Sequence, residues 1–220
     1  MLKQYKNIFQ PKNEWLAAGG VLAFLVFGVF LYYFGLEFIL LFTPVILSVI
    51  LILMLYFWHQ PLKIKYWSLA IVTIFGYLVE VVGIKTGLLF GDYSYGNLLG
   101  WKIFSTPIII GLLWFIVSLS SWQIAGLYRK NRLITYALAL ILLISFDLIL
   151  EQFAISYKLW FWPGNVVPLY NYISWAIVGI LIFVFYDKFL VKGKSLSPFI
   201  MLVLPILSIY MWLMLVISYL

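Results

Sequence analysis

Residues 133–156 read LITYALALILLISFDLILEQFAIS, and this stretch decides the fold. Its apolar side chains run without the alternation of a strand and over more than the roughly 20 residues that cross a bilayer as a helix. Two acids, Asp147 and Glu151, stand inside it. Blocks of the same kind lie at about 15–34, 37–58, 66–84, 104–127, 169–187 and 198–219, which makes seven in all. Backbone in lipid must satisfy its own hydrogen bonds, so only helices or closed barrels span, and continuous apolar runs predict helices. Composition agrees. Of 220 residues 66% are hydrophobic and only 10% charged, more apolar surface than a soluble domain of this size can hide. The expected architecture is therefore all-α, a polytopic membrane helical bundle, with residues 1–220 forming a single transmembrane domain. Soluble enzymes, nucleic-acid binders and disordered regulators are excluded.

The net charge of +7 does not point to nucleic acid, because Lys and Arg are scattered between the apolar blocks. Such charges orient a membrane protein. With the N-terminus in the cytoplasm, the cytoplasmic segments hold Lys3, Lys6, Lys12, Lys63 and Lys65. They also hold Arg129, Lys130, Arg132, Lys188, Lys192 and Lys194, for eleven of the fourteen basic residues. The opposite face holds Lys85, Lys102 and Lys158. That asymmetry predicts seven spans with the N-terminus inside and the C-terminus outside. The first span lacks a small-residue cleavage site, so it is expected to be retained rather than removed as a signal peptide. Cysteine is absent, and a single histidine, His59, precludes a His-rich metal site.

Two outward connections differ from the rest. Residues 83–101 read GIKTGLLFGDYSYGNLLGW, and residues 157–168 read YKLWFWPGNVVP. Both combine glycine, aromatic and turn residues with little charge. An aromatic belt at the membrane surface would explain the rings. The glycines favour a cap folded over a cavity.

The chain has seven acids. Glu14, Glu37 and Asp187 lie near span ends, where water or headgroups are expected to reach them, and Asp92 lies in an outer loop. Glu80, Asp147 and Glu151 lie within apolar helices, where an ionisable group is costly and usually faces a functional cavity. Asp147 and Glu151 share a helix face. Spans three and five run in the same direction, so Glu80 and Glu151 fall at similar depth in the outer half, with Asp147 about one turn deeper. No Lys or Arg lies within spans three to six, so at least one of the three is expected to keep its proton, as a general acid must. Carboxyls that only tie helices together, a proton or ion pathway, and a carboxylate metal site are the other readings of such a cluster. Trp114, Tyr77, Tyr93, Tyr95, Trp160, Trp162, Trp175 and Tyr172 map to spans three to six or their outer loops. Aromatic faces stabilise passing positive charge, so a carboxylic acid among them suits protonation of an alkene.

At these residues the chain resembles the carotenoid biosynthesis protein family, which includes the membrane carotenoid 1,2-hydratases of the CruF type. The resemblance covers about residues 70–190. It rests on GYLVEVVGIKTGLLFGDYSYGNLLG (76–100), STPIIIGLLWF (105–115), SFDLILEQFA (145–154) and VPLYNYISW (167–175). Gln152 stands where many members carry proline, and Ser174 where glycine usually precedes the tryptophan. The resemblance implies addition of water across the terminal double bond of an acyclic ψ-end group in a lycopene-like or γ-carotene-like polyene. No redox cofactor is implied, and the chain carries no dinucleotide fingerprint. Asp147 and Glu151 are expected to form the acid–base pair, with Glu80 completing the site. Asn171 is expected to hold the water or to cap its helix. Tyr93 and Tyr95 are expected to act as proton relay or lid, or as interface anchors. With Trp114 and Trp175 these residues make the expected substrate site, with no metal. The expected partners are a carotenoid, water and the lipid bilayer, together with other enzymes of the same pathway, and no nucleic acid. The expected location is the cytoplasmic membrane of a prokaryote.

Residues alone do not separate a hydratase from a lycopene cyclase, which also starts by protonating a polyene. A proton-coupled transporter would be expected to show broken helices in related halves, and no internal symmetry is visible. A retinal protein would need a lysine in its last span, and residues 198–219 contain none.

Overall fold

The computed structural model describes residues 11–128, 131–191 and 196–219. Seven helices carry the chain: α1 (Pro11–Tyr33), α2 (Thr43–Phe57), α3 (Leu62–Thr86), α4 (Ile109–Ala125), α5 (Arg132–Ser156), α6 (Leu169–Phe189) and α7 (Pro198–Ser218). With their short 3-10 extensions, all seven are long and apolar enough to cross a membrane. Of the basic residues on which the expected orientation rests, Lys3, Lys6, Arg129, Lys130, Lys192 and Lys194 lie outside the described residues.

α1 and α3 begin about four residues before their expected limits, and two further differences have a local reason. Residues Glu37–Phe42 form a 3-10 helix, and α-helix starts only at Thr43, where Pro44 sits in the first turn, the position that tolerates its missing N–H. The fourth span starts at Ile109 rather than 104, because residues 102–107 form a hairpin instead. There β2 (Lys102–Ile103) pairs antiparallel with β3 (Thr106–Pro107). The two residues between them, Phe104 and Ser105, both take positive φ, 51° and 65°, the backbone of a type I′ turn.

α4 is the axle of the bundle. All its residues except Leu112 and Ile124 are buried, which is why it alone can carry Ser118, Ser120, Ser121 and Gln123 within an apolar span. A polar group buried there has to find its partner within the protein, since lipid supplies none; Ser121 Oγ has none among the described residues. Ser118 shares a hydrogen bond of 3.1 Å with the Tyr186 hydroxyl of α6. Ser120 meets α7 at the turn before Pro205, a proline inside the helix. Its hydroxyl donates to the Ile200 carbonyl at 2.6 Å and accepts the Leu204 N–H at 3.0 Å. It thus ties α4 to the turn of α7 that precedes Pro205. Ser120→Ala removes both bonds, and is expected to destabilise the protein by about 1–3 kcal/mol, read as a lower melting temperature in detergent.

α3 and α4 approach closely through glycines on both helices. A Cβ on Gly76 would lie 2.6 Å from the Trp114 side chain, and one on Gly111 would lie 2.6 Å from the Thr73 carbonyl oxygen. Small residues at such crossings let helix backbones meet, and here they bring Trp114 against the turn of α3 that ends in Glu80.

At the end of the bundle where α1 begins, one expectation is corrected. Glu14 is not open to water or headgroups but buried, at 3% exposure. One carboxylate oxygen accepts the Ser197 hydroxyl at 2.5 Å and the Phe199 N–H at 3.1 Å, so with Ser197 it caps the start of α7. Its other oxygen lies 3.2 Å from His59 Nε2. A helix N-terminus offers unpaired N–H groups and positive potential, which explains a buried acid there. Glu37 and Asp92 are exposed as expected, and the partly buried Asp187 pairs with Arg132.

Candidate active site

The other end of the bundle carries the two unusual connections, and they pair with each other. β1 (Ser94–Tyr95) runs antiparallel to β4 (Trp160–Phe161), with Ser94 opposite Phe161 and Tyr95 opposite Trp160. Side chains two residues apart point the same way from a strand. Tyr93 and Tyr95 therefore face the bundle beside Trp160 and Trp162. The rings of Tyr93 and Trp162 stack at 4.8 Å, and those of Tyr95 and Trp160 meet edge to face at 5.8 Å. The connections form a cap, as the glycines suggested. Gly91, at φ 123°, shows why: a Cβ there would lie 2.9 Å from Pro168 and 3.0 Å from Trp162. Ser174, one of the two departures from the family pattern, donates its hydroxyl to the Leu89 carbonyl and ties α6 to the same cap.

Each pair of capping aromatics grips one glutamate. Tyr93 and Tyr95 both donate to Oε2 of Glu80, the latter at 2.8 Å, while Trp114 Nε1 donates to Oε1 at 3.0 Å. Trp160 and Trp162 donate their indole N–H groups to Oε2 of Glu151, at 2.9 and 2.7 Å. Asn171 Nδ2 lies 3.4 Å from Oε1 of Glu151 and donates to Oδ2 of Asp147 at 3.1 Å. It sits in the first turn of α6, behind Pro168, and no side chain caps that helix. Its amide therefore serves the carboxyls rather than the helix end. All three acids are buried, at 4% or less. Oδ1 of Asp147 accepts no hydrogen bond from the described residues.

Glu80 and Glu151 line one cavity of about 20 Å³, room for about one water molecule. Its walls include the four indoles of Trp114, Trp160, Trp162 and Trp175, with Tyr93, Tyr95 and Asn171. Trp114 and Trp175 stack at 4.0 Å between ring centres. Asp147 stands outside that wall, behind Asn171. Every residue of the expected catalytic and substrate site is thus gathered at this end, and all but Asp147 touch the cavity, whereas Tyr172, also named from sequence, does not line it. Tyr77 instead braces the β2–β3 hairpin, donating to the Ile103 carbonyl at 2.6 Å.

The donors on the two glutamates are chemically different. Indole N–H groups only donate, whereas a phenol both donates and accepts. Glu151 is thus held as an acceptor, and Glu80 is held by groups that can pass a proton on. Burial, and next the charge of Glu80, push both Tyr93 and Tyr95 well above the ordinary phenol range, so both keep their protons at neutral pH. Trp160 and Trp162 as partners of Glu151 were not read from the sequence. Their W-x-W spacing, like Y-x-Y at 93–95, is the signal of a strand presenting two side chains on one face.

The model of a carotenoid biosynthesis protein family matches residues 20–220, well beyond the 70–190 covered by the motifs. A relative from Haloarcula japonica, bisanhydrobacterioruberin hydratase, is 26% identical over 130 residues. That match takes in 54% of this chain and 44% of the relative, so the chain aligns with less than half of the relative's length. No solved structure matches the chain.

Proposed function

The chain belongs to the carotenoid biosynthesis protein family, and from that premise we propose that it is a hydratase acting on the terminal C1–C2 double bond of an acyclic ψ-end group. The observation that carries this reading is a cavity sized for one water between two buried glutamates, Glu80 and Glu151, walled by aromatic rings. A related protein named as a hydratase of a carotenoid supports it.

The reaction divides between the glutamates according to their donors. Glu80 in its protonated form gives its proton to C2, the alkene π electrons form the new C–H bond, and C1 becomes a tertiary cation. The faces of Trp114, Trp160, Trp162 and Trp175 stabilise that charge through their quadrupoles. Glu151, fixed as an acceptor by two indoles, orients the water and takes its proton as the oxygen bonds to C1. The proton returns from Glu151 to Glu80, which closes the cycle and leaves a tertiary alcohol. Tyr93 and Tyr95 are the groups able to relay that proton, because each can donate and accept. Asp147, one step behind Asn171, positions Glu151 and offers its unpaired oxygen as a place for a proton. Sequence paired Asp147 with Glu151; the lining of the cavity by Glu80 and Glu151 supports Glu80 as the more direct counterpart. No redox or metal chemistry enters these steps. The charge asymmetry along the chain supports placing this site in the leaflet away from the cytoplasm, and the relative from Haloarcula japonica supports a prokaryotic membrane.

A cyclase would begin with the same protonation and quench the cation with the neighbouring alkene. The water-sized space beside Glu151 favours hydration. Expression in a bacterium that accumulates lycopene tests the reading. A pigment heavier by one water is expected, and an unchanged mass with a cyclic end, or an unchanged pigment, contradicts it.

A further inference from the structure

A second cavity adjoins the first. It measures about 60 Å³, three times the space between the glutamates, and lies among α2, α4, α5 and α7. Ile110, Leu113, Leu150 and Trp160 line both cavities and form the partition between them. Its far wall is built from Leu47 on α2 and from Leu207 and Met211 on α7, all buried. Thr43 also lines it, but its hydroxyl is committed to the Leu40 carbonyl at 2.7 Å. Protein interiors are close-packed and leave few such voids, and an apolar void of this kind stays dry and takes apolar ligands. The space is far too small for a polyene, and most of the side chains that line it are buried. It is suited to a short, branched hydrocarbon terminus.

We propose that this cavity is the seat of the two methyl groups on C1, so that it selects acyclic, dimethyl-ended polyenes and sets C1–C2 between Glu80 and Glu151. This rests on the hydratase reading. An end group pushed past Trp160 and Leu150 reaches the apolar space with its methyls while its double bond stays level with the carboxyls. A ring in place of the branched end exceeds the space and stops short. After hydration, C1 carries a hydroxyl that has no partner on the apolar side, which disfavours the product there.

The test uses purified protein in detergent and the visible absorption shift of a bound polyene, with lycopene as the acyclic-ended probe and β-carotene as the cyclic-ended one. Wild type is expected to bind lycopene at least tenfold more tightly. Met211→Phe, or Leu47→Phe from another helix, fills the cavity and is expected to erase that preference and lower lycopene turnover at least tenfold. The ligand-free melting temperature is expected to hold or rise, because filling a void adds packing. A loss of binding through misfolding would instead lower it. Two folded, filled variants that bind and hydrate lycopene like wild type overturn the proposal. Wild type that binds lycopene with the expected preference but does not hydrate it overturns the hydratase reading and leaves the pocket standing.

Discussion

Glu151→Gln and Glu80→Gln are each expected to lower conversion of an acyclic polyene by about 10²–10⁴-fold, the range that a positioned acid or base contributes. Glutamine keeps the shape and one acceptor oxygen, so the indoles and phenols retain a partner and the bundle is expected to stay folded. The two variants should differ in rescue. Glu80→Asp keeps an acid within the tyrosine pair and is expected to recover part of the activity. Asp147→Asn, one step behind the cavity, is expected to cost less than either glutamate. Turnover with purified variants whose melting temperatures match wild type is the measurement. Full activity in both Gln variants would remove the carboxyls from the chemistry.

The second large effect concerns the cap. Trp160→Phe and Trp162→Phe each keep an aromatic ring but remove one indole donor from Glu151. A hydrogen bond to a charged group is worth about 1.5–3 kcal/mol, so each variant is expected to lose about 10–100-fold in conversion. The double variant leaves Oε2 of Glu151 without either indole donor and is expected to lose more than either alone. An aromatic belt that merely anchors the protein at the membrane surface would not respond, because phenylalanine is also apolar and aromatic. Comparable activity in the double variant would make these tryptophans belt residues.

The seven spans were legible because a lipid-facing helix needs a continuous apolar run, and such runs dominate residues 133–156 and their counterparts. Glu80, Asp147 and Glu151 were legible for the complementary reason: a charge inside such a run is rare and needs a cause. Partnerships across the chain were harder to read. Glu14 looked accessible because it sits near the start of a span, yet its partner Ser197 lies 183 residues further on. The grip of Trp160 and Trp162 on Glu151 depends on the register of β4 against β1, which neither short strand reveals alone. Residues 104–107 of the hairpin were absorbed into the fourth span because they carry no charge and run directly into its apolar block, and hydropathy does not register positive φ at Phe104 and Ser105. The family resemblance suggested the direction of the chemistry, and the different donors on the two glutamates suggested the proposed division of labour.

The central claim is that water captures a cation formed at the end of an apolar polyene between Glu80 and Glu151. Turnover of lycopene by the purified protein in heavy-oxygen water, followed by mass spectrometry, tests it most directly. A product heavier by one labelled water, with the label on a tertiary alcohol and its formation abolished in Glu151→Gln, is the expected result. An isomer of unchanged mass, or an alcohol whose oxygen carries no label, would contradict it.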